Sequence, residues 1–127
     1  CSITQRAAIE ALTGDLTASH DMLKAFTDRR KRILKLLTEI PSVACAEPDG
    51  AFYVFPKVDA YFGKKHGDAV IANADDLCMY LLNTAHVSTV TGTAFGEPTC
   101  IRISFANSMT NIEKAVERIK KALAALQ

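Results

Sequence analysis

Apolar residues recur every three or four positions through residues 3–40 and again through 110–126, and between these stretches they crowd into short β-branched and aromatic runs. Ser2 with Gln5 three places on is a capping-box pattern, and Ile3, Ala7, Ala8, Ala11 and Leu12 follow at helical spacing until Gly14. After the break Asp15–Ser19, a long helix is predicted over 20–40. It places Met22, Leu23, Phe26, Ile33, Leu34, Leu37 and Ile40 on one broad face, and Pro41 stops it.

Val43–Ala46 then reads as a short strand, Glu47-Pro48-Asp49-Gly50 as a turn, and Ala51–Phe55 as a strand closed by Pro56, which together suggest a hairpin. Residues 59–73 are polar and contain glycine, with Lys64-Lys65-His66-Gly67-Asp68 at the tip, and predict an exposed loop or mobile flap. Asp75 and Asp76 open a helix that runs to Ala85, with carboxylates at its positive end. Val87–Thr91 is a strand and Gly92–Pro98 a glycine-bracketed loop. In the next strand, Ile101, Ile103 and Phe105 share one face, and Arg102, Ser104 and Ala106 share the other. The last helix starts at about Thr110, with Ile112, Ala115, Val116, Ile119, Ala122, Leu123 and Leu126 on one stripe. The order α-α-β-β-α-β-β-α predicts an α/β (α+β) two-layer domain.

Composition narrows the function classes. The 127 residues, 49% hydrophobic and 23% charged, suit one globular domain. A net charge of +1 gives no global field for nucleic acid or an anionic membrane. Arg29-Arg30-Lys31-Arg32 goes all the way round a helix, so it reads as a solvated stretch and not as one binding surface. Cys1, Cys45, Cys78 and Cys100 are spread without C-x-x-C spacing. With no leader pattern in front of them, they are expected to be reduced structural thiols in a cytoplasmic protein. The chain opens at Cys1, directly before a helix signal and without methionine, and is expected to be a piece of something longer.

Chemistry-bearing residues are sparse. His20, His66 and His86 sit in unrelated contexts, none at metal-ligand spacing, and the Gly92–Gly96 loop lacks the Gly-Lys-Ser/Thr ending of a phosphate loop. No catalytic residue and no metal ligand is therefore assigned. Arg102 remains. Its paired donors match the two oxygens of a carboxylate, and it stands on the less apolar face of a strand beside Ser104. From spacing alone, an exposed strand arginine or one in a local salt bridge is the simpler reading.

Three segments and the helix after them change that balance. "EPDGAFYVFP" (47–56), "VSTVTGTAFG" (87–96) and "IRISFANS" (101–108), with Ile112, Ala115 and Ile119 following, resemble the C-terminal part of the class I aminotransferases. These are fold-type I enzymes that use pyridoxal phosphate, aspartate aminotransferase among them. "CSITQRAAIEAL" resembles the helix by which the family's large domain passes to its small domain, and 20–40 resembles the connecting helix.

The resemblance implies that residues 1–19 end the large domain and 20–127 form the small, two-layer domain. It implies that Arg102 binds the α-carboxylate of an amino-acid or 2-oxo-acid substrate and that Phe52 borders the pocket, although plain core packing of Phe52 stands beside this. Gly92 and Gly96 would carry the loop past the pocket mouth with Phe95 packed beneath. The Schiff-base lysine of the family lies upstream of the matching segment, and none of the nine lysines here is in its context. The parent would be a homodimeric aminotransferase carrying pyridoxal phosphate, whereas the chain alone would hold no cofactor and be inactive. A related fold-type I lyase or synthase, or a stand-alone amino-acid-binding module using Arg102, are the alternatives. Without the large domain, apolar faces of helix 3–14 and of the long helix would lie bare and favour oligomerisation or swapping.

Overall fold

The computed structural model describes all of residues 1–127. Helix α1 (Ser2–Thr13) buries nothing: Ile3 is 80% exposed and Leu12 86%. Cys1, and not Ser2, takes the N-cap position, and no side chain caps the helix. The expected capping box is therefore absent, because Ser2 is already the first helical residue. Helix α2 (Thr17–Thr38) starts earlier than the apolar pattern suggests. The Asp15 carboxylate accepts from the Thr17 N–H at 2.9 Å and the Thr17 hydroxyl at 2.7 Å, so the presumed break is partly a helix start. Its predicted face is covered only from Phe26 onward, and Phe26 itself is half-buried against the core. Ile33, Leu37 and Ile40 are buried, while Met22 and Leu23 are 61% and 65% exposed.

The core is built where α2 meets helix α4 (Met109–Ala124), as the α4 stripe of Ile112, Val116, Ile119 and Leu123 predicts. Ser108 caps α4, its hydroxyl accepting from the Asn111 N–H at 3.2 Å. Helix α3 (Ala74–Tyr80), capped by Asn73, runs into a π turn (Leu81–Ala85) that packs on α4 and brings Leu77 and Leu81 into the same core.

Five short strands complete the α+β fold: β1 (Tyr53–Val54), β2 (Lys65–His66), β3 (Ala69–Val70), β4 (Val90–Thr91) and β5 (Ile101–Ser104). The main sheet is antiparallel, in the order β1-β5-β4, with Tyr53 opposite Ser104 and Val90 opposite Arg102. Backbone bonds from Phe105 N to Phe52 O (2.9 Å), Ile101 N to Pro56 O (3.1 Å) and Val58 N to Thr99 O (2.9 Å) extend the β1–β5 pairing at both ends. The alternation of β5 is as expected: Ile101, Ile103 and Phe105 are buried and face the helices, while Arg102 and Ser104 face away.

Two expectations fail. Val43–Ala46 is no strand and makes no hairpin with 51–55. Ala44 bridges only Lys57, and β1 pairs instead with β5, which offers a longer apolar partner. Residues 59–73 are not a loose flap. Tyr61, in a 3-10 turn (Asp59–Tyr61), and Ile71 are buried, and the Tyr61 hydroxyl donates to the Pro41 carbonyl. Between them β2 and β3 form a small hairpin, tied by Lys65 N to Gln127 O (2.9 Å) and by the return bond (3.0 Å) to the chain end. The strand expected over 87–91 is reduced to β4. All four cysteines are free thiols, and burial pushes those of Cys45, Cys78 and Cys100 above their ordinary range.

Gly92 opens the 3-10 turn Gly92–Phe95 against the backbone of the next segment. A Cβ there would lie well inside 3.0 Å of the carbonyl oxygens of Glu97 and Cys100. Gly92→Ala is therefore expected to destabilise the fold by about 1–3 kcal/mol, read as a lower urea midpoint at unchanged m-value. Gly50→Ala, where an added Cβ meets nothing within 4 Å, should stay within about 0.5 kcal/mol of the parent. Equal midpoints for the two variants would contradict this packing.

Candidate functional site

A strand that buries alternate residues must send the others out, and in β5 that puts Arg102 on the outer face of the sheet, half-buried. Its neighbours come from both flanking strands. Tyr53, diagonal to it on β1, and Phe95, on the turn after β4, each place a ring centroid 4.4 Å from the Arg102 Cζ. Phe55 stands edge-on to Phe95, with centroids 6.2 Å apart at 86°. A guanidinium at that distance from an aromatic centroid is attracted by the ring quadrupole.

No carboxylate of the chain pairs with Arg102, and it makes no side-chain hydrogen bond. The arginines of α2 show the contrast. Arg32 pairs with Glu113 at 2.7 Å, and Arg30 donates to the Pro48 carbonyl at 2.7 Å with Glu47 at 3.5 Å. Arg29 stacks on Phe26 at 5.2 Å. The basic stretch 29–32 is thus mostly engaged with its own chain and only Lys31 is exposed, a correction to the solvated reading. What sets Arg102 apart from Arg29 is that two rings meet it, both closer and from opposite flanks of its strand, with no carboxylate beside them, which leaves its five N–H donors unspent.

The position of Phe95 is enforced by its turn. The Gly92 N–H donates to Cys100 O at 2.8 Å and Glu97 N–H to Gly92 O at 3.0 Å, while Gly96 closes the turn in the left-handed region at φ 80°. The Thr93 hydroxyl donates to Asp75 Oδ2 at 3.2 Å, fastening the turn to the start of α3.

Phe52 is no core residue. It is 41% exposed, and its ring lies 4.4 Å from that of Tyr53 and 6.2 Å from that of Phe26. It therefore continues the aromatic run beside Arg102 from the other end. Sequence reasoning singled out Arg102 and Phe52 but not Tyr53 or Phe55. Their place opposite the outer face of β5 shows only once the register is known.

The remaining polar features are structural. Tyr80 donates to Ala122 O at 3.0 Å, so His66 Nδ1, 3.0 Å away, serves its hydroxyl as donor. No three His, Cys, Asp or Glu side chains are grouped to hold a metal ion. A concavity of about 730 Å³ runs along α1 past Ile3, Arg6 and Ile9, and one of about 290 Å³ lies beside Arg30, but neither is lined by Arg102. No helix is long and apolar enough to cross a membrane.

Comparison with known proteins gives this geometry a context. Residues 1–119 match the family described as "Aminotransferase class I and II". The "Bifunctional aspartate aminotransferase and glutamate/aspartate-prephenate aminotransferase" of Petunia hybrida is 46% identical over 132 residues, which takes in 99% of this chain and 27% of that protein. A "Probable aspartate/prephenate aminotransferase" of Rickettsia prowazekii is 44% identical, over 99% of this chain and 32% of its own length. The chain thus spans about a third or less of the curated relatives it matches. Among solved structures, the aspartate aminotransferase of Rhizobium meliloti superposes with a TM-score of 0.93 at 36% identity, covering 99% of this chain and 32% of that one. The alanine aminotransferase of Pyrococcus furiosus superposes with a TM-score of 0.80 at 33% identity, covering 93% and 28%. With the family match running almost end to end and the fold shared with solved fold-type I aminotransferases, the chain belongs to the class I and II aminotransferases.

Proposed function

We propose that these residues form the C-terminal part of a pyridoxal-phosphate-dependent aminotransferase that exchanges an amino group between aspartate, or a similar amino acid, and a 2-oxo acid. Residues 1–19 would close its large domain and 20–127 would form its small domain, in a soluble cytoplasmic homodimer. The observation that carries the reading is Arg102: a half-buried guanidinium stacked on Tyr53 and Phe95 with no carboxylate of its own chain to pair with. Such a group is ready for a carboxylate from outside, and a bidentate ion pair in a closed site is both strong and directional. Arg102 would grip the substrate α-carboxylate and orient the Cα–H bond, and Phe52 would border the pocket. Gripping a substrate through the small domain also gives that domain a reason to close and exclude water.

The residues of this chain do not fit the cofactor. A lysine used for a Schiff base is activated by desolvation or a neighbouring cation. Eight of the nine lysines are exposed, and Lys64, half-buried, has its ammonium 5.1 Å from the Tyr61 ring centroid on the 59–73 segment. Pyridoxal phosphate would be held by residues outside 1–127, and the isolated chain would be inactive.

Two measurements test this reading. In the full-length protein, Arg102→Ala should lower kcat/KM for both the amino acid and the 2-oxo acid by about 100-fold or more, the loss that follows from removing one partner of a desolvated charge pair. Arg102→Lys should recover little of it, because an ammonium lacks the planar fork. Unchanged kcat/KM in Arg102→Ala would defeat the assignment. Borohydride reduction of the protein from its source should leave a pyridoxyl adduct on a lysine outside this segment, in a polypeptide much heavier than 13.8 kDa. A 13.8 kDa product without adduct, binding amino acids reversibly, would favour the stand-alone binding module.

A further inference from the structure

The geometry points to Tyr53 and Phe95 as positioning residues for Arg102, holding its guanidinium by ring faces so that its N–H donors stay available to a substrate carboxylate. This rests on the carboxylate-binding reading of Arg102. A half-buried cation needs compensation, and the usual device is an acidic neighbour, as Glu113 is for Arg32 at 2.7 Å. An acidic neighbour would also occupy the donors that a substrate needs and would have to be displaced at each turnover. Aromatic rings supply attraction without accepting those hydrogen bonds.

The two rings arrive from different directions. Tyr53 belongs to β1, on one flank of β5, and Phe95 follows β4, on the other flank, yet both centroids lie 4.4 Å from the Cζ. Each ring is itself held. Phe52 lies 4.4 Å from the Tyr53 ring, and Phe55 stands edge-on to Phe95. The Phe95 turn is closed at Gly92 and fastened to Asp75 through Thr93. Neither ring belongs to the buried core, and Phe95 is 50% exposed. Core packing therefore does not account for two aromatic residues converging on one cation.

The test uses the full-length holoenzyme, with steady-state kinetics for amino acid and 2-oxo acid and a thermal melt for each variant. Tyr53→Leu and Phe95→Leu are each expected to raise KM for both substrates about three- to tenfold, with kcat within about twofold, because each loosens the grip on the carboxylate while Arg102 itself remains to orient the substrate once bound. Tyr53→Phe and Phe95→Tyr, which keep the ring faces, should return KM to within about twofold of the wild type. A lower melting temperature with wild-type KM in the folded fraction would overturn the inference, since a purely structural role predicts that pattern. If Arg102→Ala weakens both substrates while both leucine variants keep the wild-type KM, the positioning role fails and the carboxylate reading stands. If Arg102→Ala itself leaves kcat/KM unchanged, both fail together. Should Tyr53→Leu not fold, Phe95→Leu, at a half-exposed turn position, decides the matter alone.

Discussion

A half-buried positive charge with no counter-charge in its own chain is the constraint around which the outer face of this sheet is arranged. Arg102 is positioned by the alternation of β5, whose other residues, Ile101 and Ile103, are committed to the core. Slipping the strand by one residue would bury the guanidinium and expose the isoleucines, so the hydrophobic core itself fixes where the charge points. The sheet then brings Tyr53 alongside through the β1–β5 register, and the tight Gly92 turn brings Phe95 from the opposite flank.

The same dependence connects distant parts of the fold. Helices α4 and α2 share one core with the inner face of the sheet, Phe26 of α2 meeting Phe105 edge-on, and α3 meets the Phe95 turn through Asp75 and Thr93. The first part of the molecule is different in kind. Helix α1 and the start of α2 carry Ile3, Leu12, Met22 and Leu23 in solvent, so their apolar spacing has no partner among these residues. The chain spans about a third or less of the curated relatives it matches, and it leaves the amphipathic helix α1 uncovered.

Much of this was legible in the residues, and where it was not the reasons are physical. Helix α4 and strand β5 announce themselves because long, regular periodicity is local information. The apparent hairpin over 43–55 misled because two short apolar runs and a turn describe pairing with any available strand, and β5 is the better partner. The segment 59–73 looked loose because its anchors, Tyr61 and Ile71, are ten positions apart (71 − 61) and follow no helical or strand repeat. Arg102 stood out by its residue type and by a likeness to the aminotransferases. Of its ring partners, Phe95 stood out only as a residue packed under the loop and Tyr53 not at all, since both are joined to Arg102 only by register and by a turn held by hydrogen bonds.

The most direct measurement is a crystal structure of the full-length protein with a dicarboxylate substrate analogue bound. The expected result is one carboxylate of the ligand lying in the plane of the Arg102 guanidinium, both oxygens about 2.7–2.9 Å from its nitrogens, with Tyr53 and Phe95 still against the group. A ligand held elsewhere, with Arg102 paired to an aspartate or glutamate of the protein, would contradict the account.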